Sequence, residues 1–274
     1  MKESLILPDV QLESDSRNIP LDEVGISGFE LPLTLCLPDN SRLTVPSVWE
    51  AGVRLSESSR GTHMSRFVQI LDVFAAKGLK SLDLSSLCAE MAARLDTEAV
   101  RVQTCFRYFV RKPSPVSGLS APSAYGVTVG ASMGENSVSA AETTVELSVA
   151  TANLCPCSKE ISDEGAHNQR VLLRVGLELG TQAHLFPFPV LETLIRRLEA
   201  CGSSELYPLL KRIDEKQVTE QQFANPKFIE DVAREAVEVL RSSSPIRAFS
   251  IEAQALESIH AHNAYVRYRQ GKAS

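Results

Sequence analysis

The chain has 274 residues, 43% of them hydrophobic, which is ample for one large core or two compact ones. A formal net charge of −6 argues against nucleic acid as the main partner, because no basic excess offsets phosphate repulsion. No apolar run approaches the roughly 18 residues needed to cross a bilayer and the start is too short for a signal peptide, so residence in the cytoplasm, away from the membrane, is expected.

Residues 1–27 mix charge, Pro and Ser with little periodicity and read as an N-terminal arm. Two strand-like runs follow at 29–37 and 42–55, separated by the turn Pro38-Asp39-Asn40-Ser41. Helical spacing of Met64, Phe67, Leu71 and Phe74, then of Leu87, Met91 and Leu95, predicts helices over 62–76 and 84–95. Strands are expected at 100–110 and 125–133, joined by a Pro- and Ser-rich loop at 113–123.

The same order then recurs. Val145, Leu147 and Val149 alternate with Glu146 and Ser148 in a strand at 142–153, and a partner strand spans 171–179. Leu191, Leu194, Ile195 and Leu198 mark a helix over 190–200 that ends before Gly202. A second helix runs from Pro226 through Ile229, Val232, Ala236 and Leu240, and strands near 247–255 and 263–269 close the chain. Two ββααββ units, at 28–135 and 136–274, predict an α+β fold: antiparallel sheets with helices on one face. Sheets with long edges close by oligomerising into a barrel, so a homo-oligomer is expected.

Four constellations carry possible chemistry. In Cys155-Pro156-Cys157-Ser158-Lys159-Glu160 through Gly165-Ala166-His167, two thiols and an imidazole fall within thirteen residues. Thiolate and imidazole are ligands for a borderline-soft divalent metal, and a thiol beside positive charge can also be a nucleophile. A structural turn is the bland alternative. Glu257-Ser258-Ile259-His260-Ala261-His262 could bring Glu257 and His260 together for proton transfer, or be a polar turn. The charged run 211–220 reads as a solvated loop, although Glu215 could complete a metal site and Glu230 lies near a packing stripe. Gly61-Thr62-His63-Met64-Ser65-Arg66 opens the first helix with Thr62 as N-cap, and His63 with Arg66 could bind an anion. Cys36, Cys88, Cys105 and Cys201 sit in apolar surroundings and read as small buried hydrophobes.

The segment Leu154-Cys155-Pro156-Cys157-Ser158-Lys159-Glu160-Ile161-Ser162, with Gly165-Ala166-His167-Asn168-Gln169-Arg170, closely resembles the signature of type IB GTP cyclohydrolase I. Further blocks agree in family order: Leu7-Pro8-Asp9-Val10-Gln11, Gly61 to Arg66, Tyr207-Pro208-Leu209-Leu210-Lys211-Arg212, Asp214-Glu215-Lys216, Asn225-Pro226-Lys227-Phe228 and Glu257-Ser258-Ile259-His260. Gln217 departs from the family, standing where an aromatic is usual.

The resemblance implies a tandem tunnelling fold, a homotetramer with active sites at subunit interfaces, and a reaction that opens folate biosynthesis. In it GTP and water give 7,8-dihydroneopterin triphosphate and formate. It implies one divalent metal (Zn, Mn or Fe) held by Cys155, His167 and Glu215, with Glu205 and Glu220 as rivals for the third place. His260 supported by Glu257 would shuttle protons, Glu230 would anchor the guanine edge, and His63, Arg66, Lys159 and Arg170 would meet the triphosphate. The alternatives are a same-fold enzyme that uses Cys155 as a covalent nucleophile, of the nitrile reductase type, and a non-catalytic metal-stabilised module.

Overall fold

Alternation at period two shapes most of the molecule. In the computed structural model, which describes Gln11 and residues 13–134 and 141–271, β3 (Val100–Pro113) buries Val100, Val102, Thr104, Phe106, Tyr108 and Val110. The residues between them, Arg101, Cys105, Arg107, Phe109 and Arg111 among them, point to the other face. The same pattern runs through β1 (Leu21–Cys36), β2 (Arg42–Leu55), β4 (Ser120–Met133), β5 (Glu142–Leu154), β6 (Asn168–Gly180), β8 (Ala248–Leu256) and β9 (Ala264–Gln270). These strands form one antiparallel sheet in the order β1-β2-β3-β4-β5-β6-β8-β9, and the two-residue β7 (Ser204–Glu205) pairs with β5.

The helices cover one face. α1 (Met64–Lys77) packs on β1, α2 (Ser85–Leu95) on β3 and β4, α4 (Phe188–Glu199) on β5, and α6 (Ile229–Arg241) on β8 and β9. A single apolar cluster extends from Leu33 to Ala255, and Trp49, Phe67, Phe186 and Phe188 are among its largest fully buried side chains. The pairing of β4 with β5, from Gly126↔Ser148 to Ser132↔Glu142, makes the sheet continuous between the two repeats. The expected division between units falls at residues 135 and 136, outside the described residues.

Several expectations are corrected. β1 begins at Leu21, so the last seven residues assigned to the arm belong to the sheet; most of the remaining arm lies outside the described residues. The loop expected at 113–123 shrinks to a tight connection between β3 and β4, because Ser114 closes it with its amide and hydroxyl on the Leu119 carbonyl. Two helices were not foreseen: α3 (Pro156–Ile161) and α5 (Arg212–Ala224). α5 lacks an apolar stripe, since only Asp214 and Gln222 are buried, and it is held by polar bonds instead. Asp214 accepts from the Lys211, Val116 and Ser117 amides and the Ser117 hydroxyl, tying the helix start to the β3–β4 turn. α6 begins at Ile229 rather than Pro226, with the Phe228 amide bonded to the Asp231 carboxylate. His63, not Thr62, occupies the N-cap of α1. Among the described residues no helix is long and apolar enough to cross a membrane.

Candidate metal and catalytic site

The β5–β6 ladder ends at the pair Leu154↔Asn168, and the next step outward brings Cys155 and His167 together. The Cys155 amide donates to the His167 carbonyl at 3.0 Å, so the two side chains leave from adjacent positions at the sheet end. Between them the chain makes α3, with Cys155 as N-cap and Pro156 in its first turn, where a missing amide costs nothing. Gly165 then turns the chain back with φ at +77°, a conformation that penalises any side chain. Ser158 pins the return, donating its hydroxyl to the Cys155 carbonyl and accepting from the His167 amide. Cys157 is exposed, in contrast to the half-buried Cys155.

Two other segments converge here. The turn after β8 carries Glu257, His260 and His262, and is closed by the Glu257 amide on the Asn263 side chain. The His260 ring lies edge-on to His167, with centroids 6.5 Å apart, and stacks on His262 at 5.3 Å. From the other side, Lys227 donates its amide to the Leu154 carbonyl, and Asn153 donates to the Lys227 carbonyl. That stitching sets the first turn of α6 beside Cys155, which is how Glu230 reaches the site. Cys155, His167, Glu230, Glu257 and His260 all line one cavity of about 280 Å³. Its volume is just below that of common ligand pockets, which run from about 300 Å³ upward.

Three polar residues of this cavity had no role from sequence: Gln169, Lys227 and His262. Gln169 is signalled by alternation, because it sits two residues after His167 and therefore on the same face of β6. Its Oε1 is 3.0 Å from His167 Nδ1, and its Nε2 is 3.5 Å from Glu257 Oε1. The Ser258 hydroxyl also approaches His167 Nδ1, at 3.4 Å.

Other expected site residues lie elsewhere. Glu215 is exposed in the first turn of α5, while the part of that helix touching the site's surroundings is its last turn. There Gln222 accepts from Asn168, and the Phe223 carbonyl accepts from Lys159 at 2.6 Å. Seven residues separate Glu215 from Gln222, about 10 Å along a helix. The Glu215 carboxylate makes no hydrogen bond or ion pair. Of its rivals, Glu205 is 2.8 Å from buried Lys112 and Glu220 is 2.6 Å from Lys216, so both are engaged away from the cavity. Among the described residues no three His, Cys, Asp or Glu side chains are gathered as a metal cage. Lys159, stacked over the Phe223 ring at 4.4 Å, is committed to holding α3 against α5. Arg170 lies on the helix-free face of the sheet, in a concavity with Arg107 and Arg174. His63 and Arg66 line a separate cavity of about 890 Å³ at the start of α1.

A buried polar network links β3, α4 and β7. Lys112, 2% exposed, donates to Glu199 at 2.8 Å and to the Leu206 carbonyl at 2.7 Å, and pairs with Glu205. Burial raises the Glu199 carboxyl above the usual range, although Lys112 and the Tyr125 hydroxyl both oppose the shift. Burial also pushes the thiols of Cys88 and Cys201 up to about 12 and about 11, which leaves them inert hydrophobes as expected. Cys105 departs from that reading, being exposed on the helix-free face.

Comparison with known proteins adds the following. Residues 7–266 match the family described as type I GTP cyclohydrolase folE2. The chain is 39% identical over 272 residues to GTP cyclohydrolase FolE2 2 of Burkholderia lata, covering 99% of this chain and 97% of that one. It is 40% identical over 265 residues to GTP cyclohydrolase FolE2 of Paraburkholderia phymatum, covering 97% and 95%. Among solved structures it is similar to uricase from Arthrobacter globiformis, with a TM-score of 0.54 at 8% identity over 97% of this chain and 96% of that one. That likeness shows the fold alone, which is the tunnelling fold.

Proposed function

The chain belongs to the type I GTP cyclohydrolase family of the FolE2 kind, and we propose that it opens the guanine ring of GTP in the cavity between Cys155, His167, Glu230 and His260. The products would be 7,8-dihydroneopterin triphosphate and formate, at the entry to folate synthesis. The observation that carries the location is the meeting of the Cys155 thiol and the His167 imidazole with Glu257 and His260 in one cavity at the sheet end.

The donor set suits a divalent ion. His167 has Nδ1 engaged by Gln169 and Ser258, which leaves Nε2 to bind metal in the manner of metal-ligating histidines. Cys155 supplies the thiolate, and Glu215, whose carboxylate is uncommitted, is proposed as third ligand. Within one chain Glu215 does not line the cavity. One thiolate, one imidazole and one carboxylate accommodate Zn, Mn or Fe. A bound ion of this kind supplies Lewis acidity, which makes water a competent nucleophile near neutral pH.

This chain's own groups do the rest. Glu230 lines the cavity with a free carboxylate, which can accept from the guanine ring N–H and its exocyclic amine together. His260 passes a proton to the ring nitrogen as the bond to C8 opens, with Glu257 in the same turn supporting it. His63 and Arg66 line another cavity of this chain, so their proposed contact with the triphosphate is made across an interface in a homotetramer. Arg170 is free to contribute there too, whereas Lys159 must first leave Phe223. Six free thiols fit a reducing cytoplasm.

The test is direct. Purified protein loaded with Zn, Mn or Fe and given GTP should release formate and yield a fluorescent pterin after oxidation. Absence of turnover with every divalent metal would sink the proposal.

A further inference from the structure

Gln169 touches both halves of the proposed chemistry, and its amide can satisfy them in only one orientation. Glu257, when ionised, can only accept hydrogen bonds, so the group 3.5 Å from its Oε1 must be the amide nitrogen. The amide oxygen therefore faces His167. Facing an oxygen at 3.0 Å, His167 Nδ1 must carry the proton. That fixes the tautomer, and the lone pair lies on Nε2. The charge on Glu257 thus sets the direction of the amide, and the amide sets which ring nitrogen can bind metal.

We infer that Gln169 is a positioning residue that holds His167 in its metal-binding tautomer and, with the same amide, orients Glu257 for its work beside His260. The inference rests on the reading of Cys155 and His167 as metal ligands. Gln169 is half-buried on β6, two residues beyond His167, so its backbone is held by the ladder with β5 through the pair Asn153↔Gln169. The side chain is accordingly aimed by the sheet rather than by a mobile loop, which is what a residue serving two partners requires. Ser258 is a weaker second acceptor for the same His167 nitrogen, at 3.4 Å, and makes no hydrogen bond to the Glu257 carboxylate.

Two substitutions separate the two contacts. Gln169→Leu removes both, whereas Gln169→Glu keeps an acceptor for His167 and sets a carboxylate against Glu257. Metal affinity is read by competition with a chelating dye, without GTP. Turnover is then measured on metal-saturated protein, with kcat and KM determined separately. For Gln169→Leu, metal affinity should fall about 10- to 100-fold, the usual loss when a ligand's hydrogen-bonding partner is removed. For Gln169→Glu, metal affinity should stay within about threefold of wild type while kcat falls at least about tenfold at unchanged KM, because only the Glu257 contact is reversed. Wild-type metal affinity in Gln169→Leu overturns the inference, and so does wild-type kcat in metal-loaded Gln169→Glu. Should the wild-type protein bind metal yet fail to turn over GTP, the proposed function fails, while the affinity comparison still judges the His167 contact.

Discussion

Lys112→Met exposes the cost of the buried network around Glu199. The ammonium is 2% exposed and has three oxygen partners, Glu199 and Glu205, each at 2.8 Å, and the Leu206 carbonyl at 2.7 Å, and it lies over the Tyr207 ring at 4.7 Å. Methionine fills much of the volume but removes the charge. Glu205 has 29% of its side chain exposed and can rehydrate, so the penalty falls on Glu199, 3% exposed and left with Tyr125 alone. Leaving a buried charge without its partner costs about 3–5 kcal/mol, a large share of the ~5–15 kcal/mol that stabilises a typical domain. The pH dependence has a definite sign. Burial already holds the Glu199 carboxyl above its unfolded value, and loss of the opposing Lys112 raises it further. A carboxyl raised on folding costs stability as pH climbs from about 4.3, its unfolded value, through the folded one. The deficit should therefore be larger at pH 7 than at pH 5. Urea unfolding at both pH values, compared at a common m-value, measures it. A deficit below about 1 kcal/mol, or one as large at pH 5 as at pH 7, would refute the reasoning.

Further outcomes follow from the site. Cys155→Ala should lose the metal and at least about 100-fold of activity, while Cys157→Ala, exposed and outside the cavity, should keep both; metal analysis with a GTP assay decides. Glu215→Gln should lower metal content and Glu257→Gln should not, and the reverse result would move the third ligand to Glu257, which already lines the cavity. His260→Ala should cut kcat about 10²- to 10⁴-fold with metal retained, and an undiminished kcat would remove it from the proton path. Asp214→Asn should flatten the acid limb of the stability profile. Desolvation acts against the Asp214 carboxylate, but bonds from Ser117, Lys211 and Val116 outweigh it and hold the carboxyl well below its usual range. Its stabilisation is therefore complete above about pH 4 and is lost as pH falls below it, so an unchanged acid midpoint would contradict the assignment.

The strands and the two long helices of the first unit were legible because their signal is local. Each residue's side of a strand or helix follows from its spacing, and burial on one face enforces it, as in β2, whose bounds match the expected 42–55. The helix α5 was not legible, because its anchor is Asp214 bonded to a turn nearly a hundred residues away, and polar anchoring has no period. The early start of β1 was hidden for a related reason: within residues 21–27 only Val24 and Ile26 alternate with exposed neighbours, too short a run to signal a strand, and the segment is ordered by pairing with β2.

The site divides in the same way. Sequence alone marked Cys155, His167, Glu257 and His260, because reactive residue types were crowded there and the blocks matched a family. Only the tertiary structure decided that Cys155 and His167 face each other across the end of a ladder, and that the first turn of α6 delivers Glu230 to them. It also put Gln169 between His167 and Glu257, held His63 and Arg66 in a separate cavity, and engaged Lys159 with Phe223. Residue type and spacing determine which groups can bind metal or move protons. Whether two such groups meet depends on strand register and on which helix end abuts the sheet, and both are set by contacts between residues far apart in the chain.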